Sequence, residues 1–285
     1  MTAVVIKEIE CKKAIGKCGF PGGGLAINPY VGCAHGCVYC YARFIKRFTK
    51  HTEEWGSFVD ARGNIAARVS NEIKNIKDNK SIIYIGTVTD PYQPLESHYK
   101  LTRSVLENLV GVKNPVSVLT KSSLVVRDMD ILKKIDCLDV NITLNNLDER
   151  WTLLTEPGST PIGKRLEAIQ KLSEAGITVY AMMGPWWPFF SRAEELLLTL
   201  KNAGVSGVFS ESVNTIGGNW TGVHRILKNF YPDLLPKMEE ILFDPDKFHA
   251  FHKSEAEKIR TLAKQLKLQA TIYFGQGHAA NKLKQ

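Results

Sequence analysis

NPYVGCAHGCVYCYAR, residues 28–43, is the stretch on which the reading of this chain turns. It sets Cys33, Cys37 and Cys40 in a CxxxCxxC spacing. On a helix, positions i, i+4 and i+7 would share a face. Gly32 and Gly36, with Asn28-Pro29 ahead of them, favour instead a loop that wraps around its cargo. Three thiolates are one short of a closed four-thiolate site, so one metal position is left to something that is not protein. The expected occupant is a 4Fe–4S cluster with one iron unligated by the chain. The competing reading is a zinc ion on the three cysteines and His35, where ring closure inside so short a loop would be cramped.

Working outward, residues 25–31 form a short strand that delivers the chain to the cysteine loop, and YARFIKRF after it begins a helix carrying Arg43, Lys46 and Arg47. Residues 1–24 have no periodic apolar pattern and read as an irregular lead-in with a turn at PGGG (21–24). Cys11 and Cys18 are too few for a second metal site. Downstream, buried-type strands at 81–87, 116–121, 138–144, 178–183 and 205–210 alternate with helical segments at 65–76, 101–110 and 128–134 and two better-marked ones. In the first of these, Thr160 reads as N-cap, Pro161 as the first helical residue and Gly176 as the stop. In the second, Ser191 and Glu194 read as a capping box, with Gly204 behind.

Six strand–helix units imply parallel pairing with right-handed crossovers. The predicted fold is α/β, a partial (β/α)6 TIM-type barrel over 25–211, after the lead-in and before a C-terminal extension, 212–285, that packs on the barrel. Chemistry in such a barrel belongs at the C-terminal ends of the strands. The polar candidates fall there: the cysteine loop, Thr87 to Asp90, Lys121, Thr143 with Asn145, and Ser210 with Glu211.

The 285 residues carry a net charge of +8. Thirteen Lys/Arg stand against seven Asp/Glu in 1–80, and eight against three in 246–285. That fits a polyanionic partner such as nucleic acid, or serves only solubility. No run reaches the roughly 18–20 apolar residues that span a bilayer, and the N-terminus lacks a signal-peptide pattern. A cytoplasmic protein with no membrane contact is expected, its cysteines reduced. The sequence leaves the oligomeric state open.

The cysteine stretch resembles the cluster motif of the radical S-adenosylmethionine (SAM) superfamily, and within it the spore photoproduct lyase branch of DNA repair photolyase-like proteins. The likeness extends through GTVTDPYQPLE (86–96), LTKSSLVVRDMDIL (119–132) and TEPGSTPIGKRLEAIQKLSEAGI (155–177). It implies that Cys33, Cys37 and Cys40 each ligate one iron and that SAM chelates the fourth. Reductive cleavage of SAM then yields a 5′-deoxyadenosyl radical, with the electron coming from an external flavodoxin- or ferredoxin-type donor. It implies further that Tyr39 lies near the adenine, Thr89 near the SAM amino group, Lys121 at its carboxylate and Thr143 or Asn141 at a strand-four polar position. Tyr41 matches a tyrosine close to the substrate radical. Thr87 departs from the pattern: it occupies the place of a cysteine that returns a hydrogen atom, and O–H is a far poorer donor than S–H. Either Cys11, Cys18 or Cys137 reaches in, or the reaction ends differently.

Three functions follow as expectations. The first is hydrogen abstraction from a nucleic-acid base, lyase-like. The second is abstraction from a small metabolite or peptide in a pocket walled by Trp186 and Trp187. The third is a non-catalytic zinc or iron module that binds nucleic acid, its C-terminal aromatics serving as a stacking platform.

Overall fold

The computed structural model describes residues 4–20 and 22–275; Pro21, where the PGGG turn is expected to begin, lies outside the described residues. The strands in chain order are β1 (Val5–Ile9), β2 (Ile15–Lys17), β3 (Leu25–Ile27), β4 (Tyr30–Gly32), β5 (Phe58–Arg62), β6 (Ile83–Ile85), β7 (Val116–Thr120), β8 (Leu138–Thr143), β9 (Thr178–Trp186), β10 (Gly207–Ser212) and β11 (Gln269–Ile272).

An eight-stranded sheet runs β11-β10-β9-β8-β7-β6-β3-β2. From β3 to β11 every pairing is parallel, with Ile27 opposite Ile85 and Val118 opposite Val140; β2 pairs antiparallel at the edge. The six strands expected from the alternation are thus neighbours in one curved parallel sheet, a partial barrel whose edges β2 and β11 do not meet. Valines and isoleucines of these strands are fully buried, as strands covered on both faces require. The crossovers carry helices Leu101–Glu107, Ile162–Glu174 and Ala193–Ala203. Helix Pro245–Gln265 adds Ile259 and Ala263 to the same core. No helix of the described residues is long and apolar enough to cross a membrane.

The structure differs from the sequence reading at several places. Residues 25–31 are two strands, not one. Asn28-Pro29 breaks the ladder, because proline has no N–H to give it, and β4 leaves to join a second sheet ordered β1-β5-β4. The first 24 residues supply β1, parallel to β5, and β2. Strands this short, with Lys7 and Glu8 exposed between apolar ends, leave no readable period. YARFIKRF is a 3-10 helix, Tyr41–Phe48. Helix Ile162–Glu174 is preceded by Pro161 as N-cap, while the Thr160 hydroxyl accepts from Ser123 N at 3.1 Å. The next helix has Arg192 as N-cap; Ser191 instead donates to the Asn145 carbonyl at 2.6 Å and accepts from Trp187 N at 2.8 Å.

A second apolar cluster decides how the site is held. Trp151 stacks on Phe190 at 3.9 Å between ring centroids, and both meet Tyr231 edge-on. Leu227 and Met238 join them beneath Cys37 and Tyr39. Part of the aromatic C-terminal region is therefore packing behind the cysteine loop.

Candidate active site

The cysteine loop leaves β4 at Gly32, whose φ of +83° and close approach to the Phe58 carbonyl (2.4 Å from an added Cβ) leave room only for glycine. Its backbone is tied on three sides. The Gly32 carbonyl accepts the Thr89 hydroxyl at 2.6 Å, and Ala34 N donates to the fully buried Gln93 side chain at 2.8 Å. Val38 N bonds to the Thr155 carbonyl and Gly158 N to the His35 carbonyl, each at 2.9 Å. Gly36 meets Gly56 backbone to backbone, so that a Cβ on Gly56 would lie 2.7 Å from the Gly36 Cα.

The result is one chamber at the C-terminal ends of the parallel strands. Cys33, Cys37 and Cys40 line it together with Tyr39, Tyr41, Thr87, Thr89, Lys121 and Thr143. Asn141, offered beside Thr143, is two residues back along β8. It bonds to Ser117 Oγ at 3.0 Å and Asp139 Oδ1 at 2.6 Å and does not line the chamber. Tyr41 donates to the Thr87 carbonyl, and Thr87 Oγ1 accepts from Asn28 Nδ2 at 3.1 Å. Trp186 and Trp187 are fully buried and do not line the chamber; Trp186 Nε1 donates to Glu255 at 3.1 Å.

Two buried networks set the electrostatics. Asp90 accepts from Lys121 N and Thr120 Oγ1, both at 2.7 Å, and lies 3.3 Å from His35 Nδ1. Burial alone would raise its carboxyl; His35 and these donors outweigh burial and hold it at about 2. In the second network Tyr39 donates to Glu156, and Glu156 pairs with Arg165, each side chain only 1 % exposed. Arg165 also reaches the Thr143 carbonyl at 3.0 Å and the Thr160 carbonyl at 2.6 Å. Burial works against the Glu156 charge, but Arg165 and Lys121 prevail and keep it ionised. Burial likewise opposes the Lys121 ammonium, and Cys37, once ionised, and Glu156 sustain it; Lys121 Nζ lies 5.8 Å from the Tyr39 ring centroid.

Glu211 lines the same chamber and feels this cation. A register shift between Ser210 and Ser212, where β10 pairs with β9, puts both Glu211 and Ser212 on the chamber lining. Burial pushes its carboxyl up to about 7, against the pull of Lys121.

The donor chemistry suits an iron–sulfur cluster. Burial raises all three thiols, Cys33 to about 12, so the chain alone does not ionise them and a bound cationic core must displace the protons. Three cysteines lining one chamber suit separate corners of a multi-iron core. Trp55 lines the chamber beside them; its buried indole N–H makes no full hydrogen bond, yet it favours a charged Cys40.

Sequence reading singled out the cysteines, both tyrosines, Thr87, Thr89, Lys121 and Thr143, and the structure brings these together. It missed Gln93, Glu156, Arg165 and Trp55. The segments 86–96 and 155–177 flagged the first three only as likeness. Trp55 carried no signal.

Against known proteins, the Radical SAM superfamily profile matches residues 27–185. An uncharacterised protein of Methanocaldococcus jannaschii is 39% identical over 185 residues, 65% of this chain and 69% of that protein. A radical SAM Nα-GlyT isomerase of Pseudomonas phage M6 is 26% identical over 246 residues, 84% of this chain and 49% of its own length. Among solved structures, spore photoproduct lyase with bound AdoMet and dinucleoside spore photoproduct superposes with a TM-score of 0.66. That match has 17% identity and covers 95% of this chain and 82% of the lyase. At that identity the likeness is one of fold.

Proposed function

This chain belongs to the radical SAM superfamily, and on that premise we propose that it holds a 4Fe–4S cluster on Cys33, Cys37 and Cys40 and abstracts a hydrogen atom from a nucleic-acid base. Membership brings SAM and an iron–sulfur cluster as cofactors. The observation that carries the reading is the convergence of three thiols, two of them buried and that of Cys40 half-buried, and one ammonium, Lys121, on a single chamber at the strand ends. When bound, the cluster and SAM supply a reactive 5′-deoxyadenosyl radical.

The chain's own groups position and protect. Lys121 is a compact cation suited to one carboxylate, and we assign it to that of SAM. Tyr39, Thr89 and Thr143 stand on the SAM side. The Thr89 hydroxyl is already committed to the Gly32 carbonyl, so its first task is to hold the cysteine loop. Tyr41 and Thr87 stand on the substrate side. The remaining thiols lie off the chamber lining: Cys11 and Cys18 are buried, and Cys137 is exposed just ahead of β8, at the opposite end of the sheet. With the Thr87 hydroxyl also held by Asn28, we take the reaction to end other than by S–H return. The base as substrate draws on the basic charge and on the likeness to the lyase that holds a dinucleoside spore photoproduct. The electron is assigned to an external flavodoxin- or ferredoxin-type protein.

The test is anaerobic incubation of reconstituted protein with SAM, a strong reductant and an oligonucleotide. Formation of 5′-deoxyadenosine is expected, faster with the oligonucleotide, and its loss in Cys37→Ala. No 5′-deoxyadenosine from iron- and sulfide-replete protein would defeat the reading.

A further inference from the structure

A second depression adjoins the chamber. It has a volume of about 420 Å³, within the roughly 300–1,000 Å³ usual for ligand clefts. It runs between the β2–β3 edge and the 3-10 helix Tyr41–Phe48, and it shares Phe20, Tyr41, Thr87 and Val88 with the chamber. The two spaces are therefore neighbours, and the Tyr41–Thr87 hydrogen bond lies in the wall they share.

Its chemistry is one-sided. Lys13, Lys17 and Arg62 line it, and among the described residues no carboxylate does. The two lysines are exposed. Arg62 donates to the Asn28 carbonyl at 3.2 Å, but its Nε is buried with no hydrogen-bond partner. Desolvation lowers the Arg62 pKa, so an anion at that nitrogen would stabilise the charge. On the rim Phe44 is 39% exposed; Phe48, further along the same 3-10 helix, is 71% exposed, and the Arg47 guanidinium lies 5.4 and 4.8 Å from their ring centroids. Cations with no carboxylate on the groove lining, beside a partly exposed aromatic ring, match a phosphodiester chain with unstacked bases.

The geometry points to this groove as the track for a single nucleic-acid strand, Lys13, Lys17 and Arg62 on its phosphates and Phe44 under a base next to the one that enters the chamber. This rests on the nucleic-acid reading above. On this assignment the strand's backbone stays in the groove while the reacting base enters the chamber, a step that requires the Tyr41–Thr87 contact to give way.

The experiment is binding of a short fluorescent single-stranded oligodeoxynucleotide to cluster-loaded protein across a salt series, by anaerobic anisotropy with no reductant, so that no turnover intervenes. Each phosphate contact on a single strand contributes about 0.7 to the log–log salt slope. The Lys13→Ala/Lys17→Ala pair is expected to flatten the slope by about 1.4. Phe44→Ala is expected to weaken binding roughly 5- to 160-fold with the slope unchanged. Lys253→Ala/Arg260→Ala, an equal charge loss on helix Pro245–Gln265, is the control and should leave the slope alone; melting curves check that each variant folds. If both charge pairs flatten the slope equally, or neither does while wild type binds, the groove assignment is wrong and the substrate reading stands. If wild type binds no oligonucleotide, or prefers an acidic peptide of equal charge, both fall.

Discussion

Arg165→Met tests whether the buried ion pair behind the cysteine loop holds the site in shape. Methionine keeps the unbranched apolar stem of Arg165 but ends short of the guanidinium, so the charge and its hydrogen bonds are what is lost. It would strand Glu156, 1% exposed, with the Tyr39 hydroxyl, a 3.3 Å contact to Ser159 Oγ and the more distant Lys121 field. Removing one partner of a buried pair typically costs about 3–5 kcal/mol. At about 2–4 °C per kcal/mol for a domain near this size, the melting temperature should fall by about 6–20 °C. Differential scanning calorimetry on anaerobic protein reads this directly. The Glu156→Gln/Arg165→Met double variant should lose much less than the sum of the singles, since the second change removes the stranded partner. The pH dependence has a fixed sign. Glu156 sits below its ordinary 4.5 in the fold, so its contribution is complete above 4.5 and lost as pH falls through the lower folded value. The gap between wild type and Arg165→Met should therefore narrow in acid. A drop of under about 2 °C, near the bottom of the per-kcal range, or strictly additive singles, would refute the reasoning.

Two further outcomes follow from the chamber walls. Glu211 holds its proton in the fold up to about 7 but in the unfolded chain only to about 4.5, so its contribution is full below 4.5 and lost as pH rises through 7. Wild type should lose stability over that window relative to Glu211→Gln in paired melts; parallel profiles would rule the buried carboxylate out. Trp55→Phe removes an N–H that favours a charged Cys40. Hydrogen bonds to cluster sulfurs stabilise the added electron, so the cluster's midpoint potential should move to more negative values in an EPR-monitored redox titration. An unchanged midpoint would count against that contact.

What the chain disclosed in advance was whatever has a local signature. Three cysteines inside eight residues and six apolar strands spaced by helices are patterns along the chain; the cysteines line one chamber, and the six strands stand in one parallel sheet, the first of them cut short at Ile27. The small β1-β5-β4 sheet was illegible, because five- and three-residue strands with Lys7 and Glu8 exposed show no alternation. Thr160 and Ser191 have the chemistry of caps, but their oxygens are taken by Ser123 and by Asn145 with Trp187, contacts no window of sequence contains. Tyr39 and Glu156 stand 117 positions apart. Only the closure of the sheet makes them neighbours, and nothing about either residue alone declares it.

The brace on the cysteine loop has a consequence for the protein's lifetime. Gly32, Ala34, His35 and Val38 are tethered by Thr89, Gln93, Thr155 and Gly158, and none of those tethers runs through a sulfur. Small zinc domains collapse when stripped, because the ion is their fold. Here the receptacle is shaped by the polypeptide itself. Oxygen that destroyed the inorganic contents would leave a vessel of the right form, so an exposed molecule would be a candidate for recharging rather than for proteolysis.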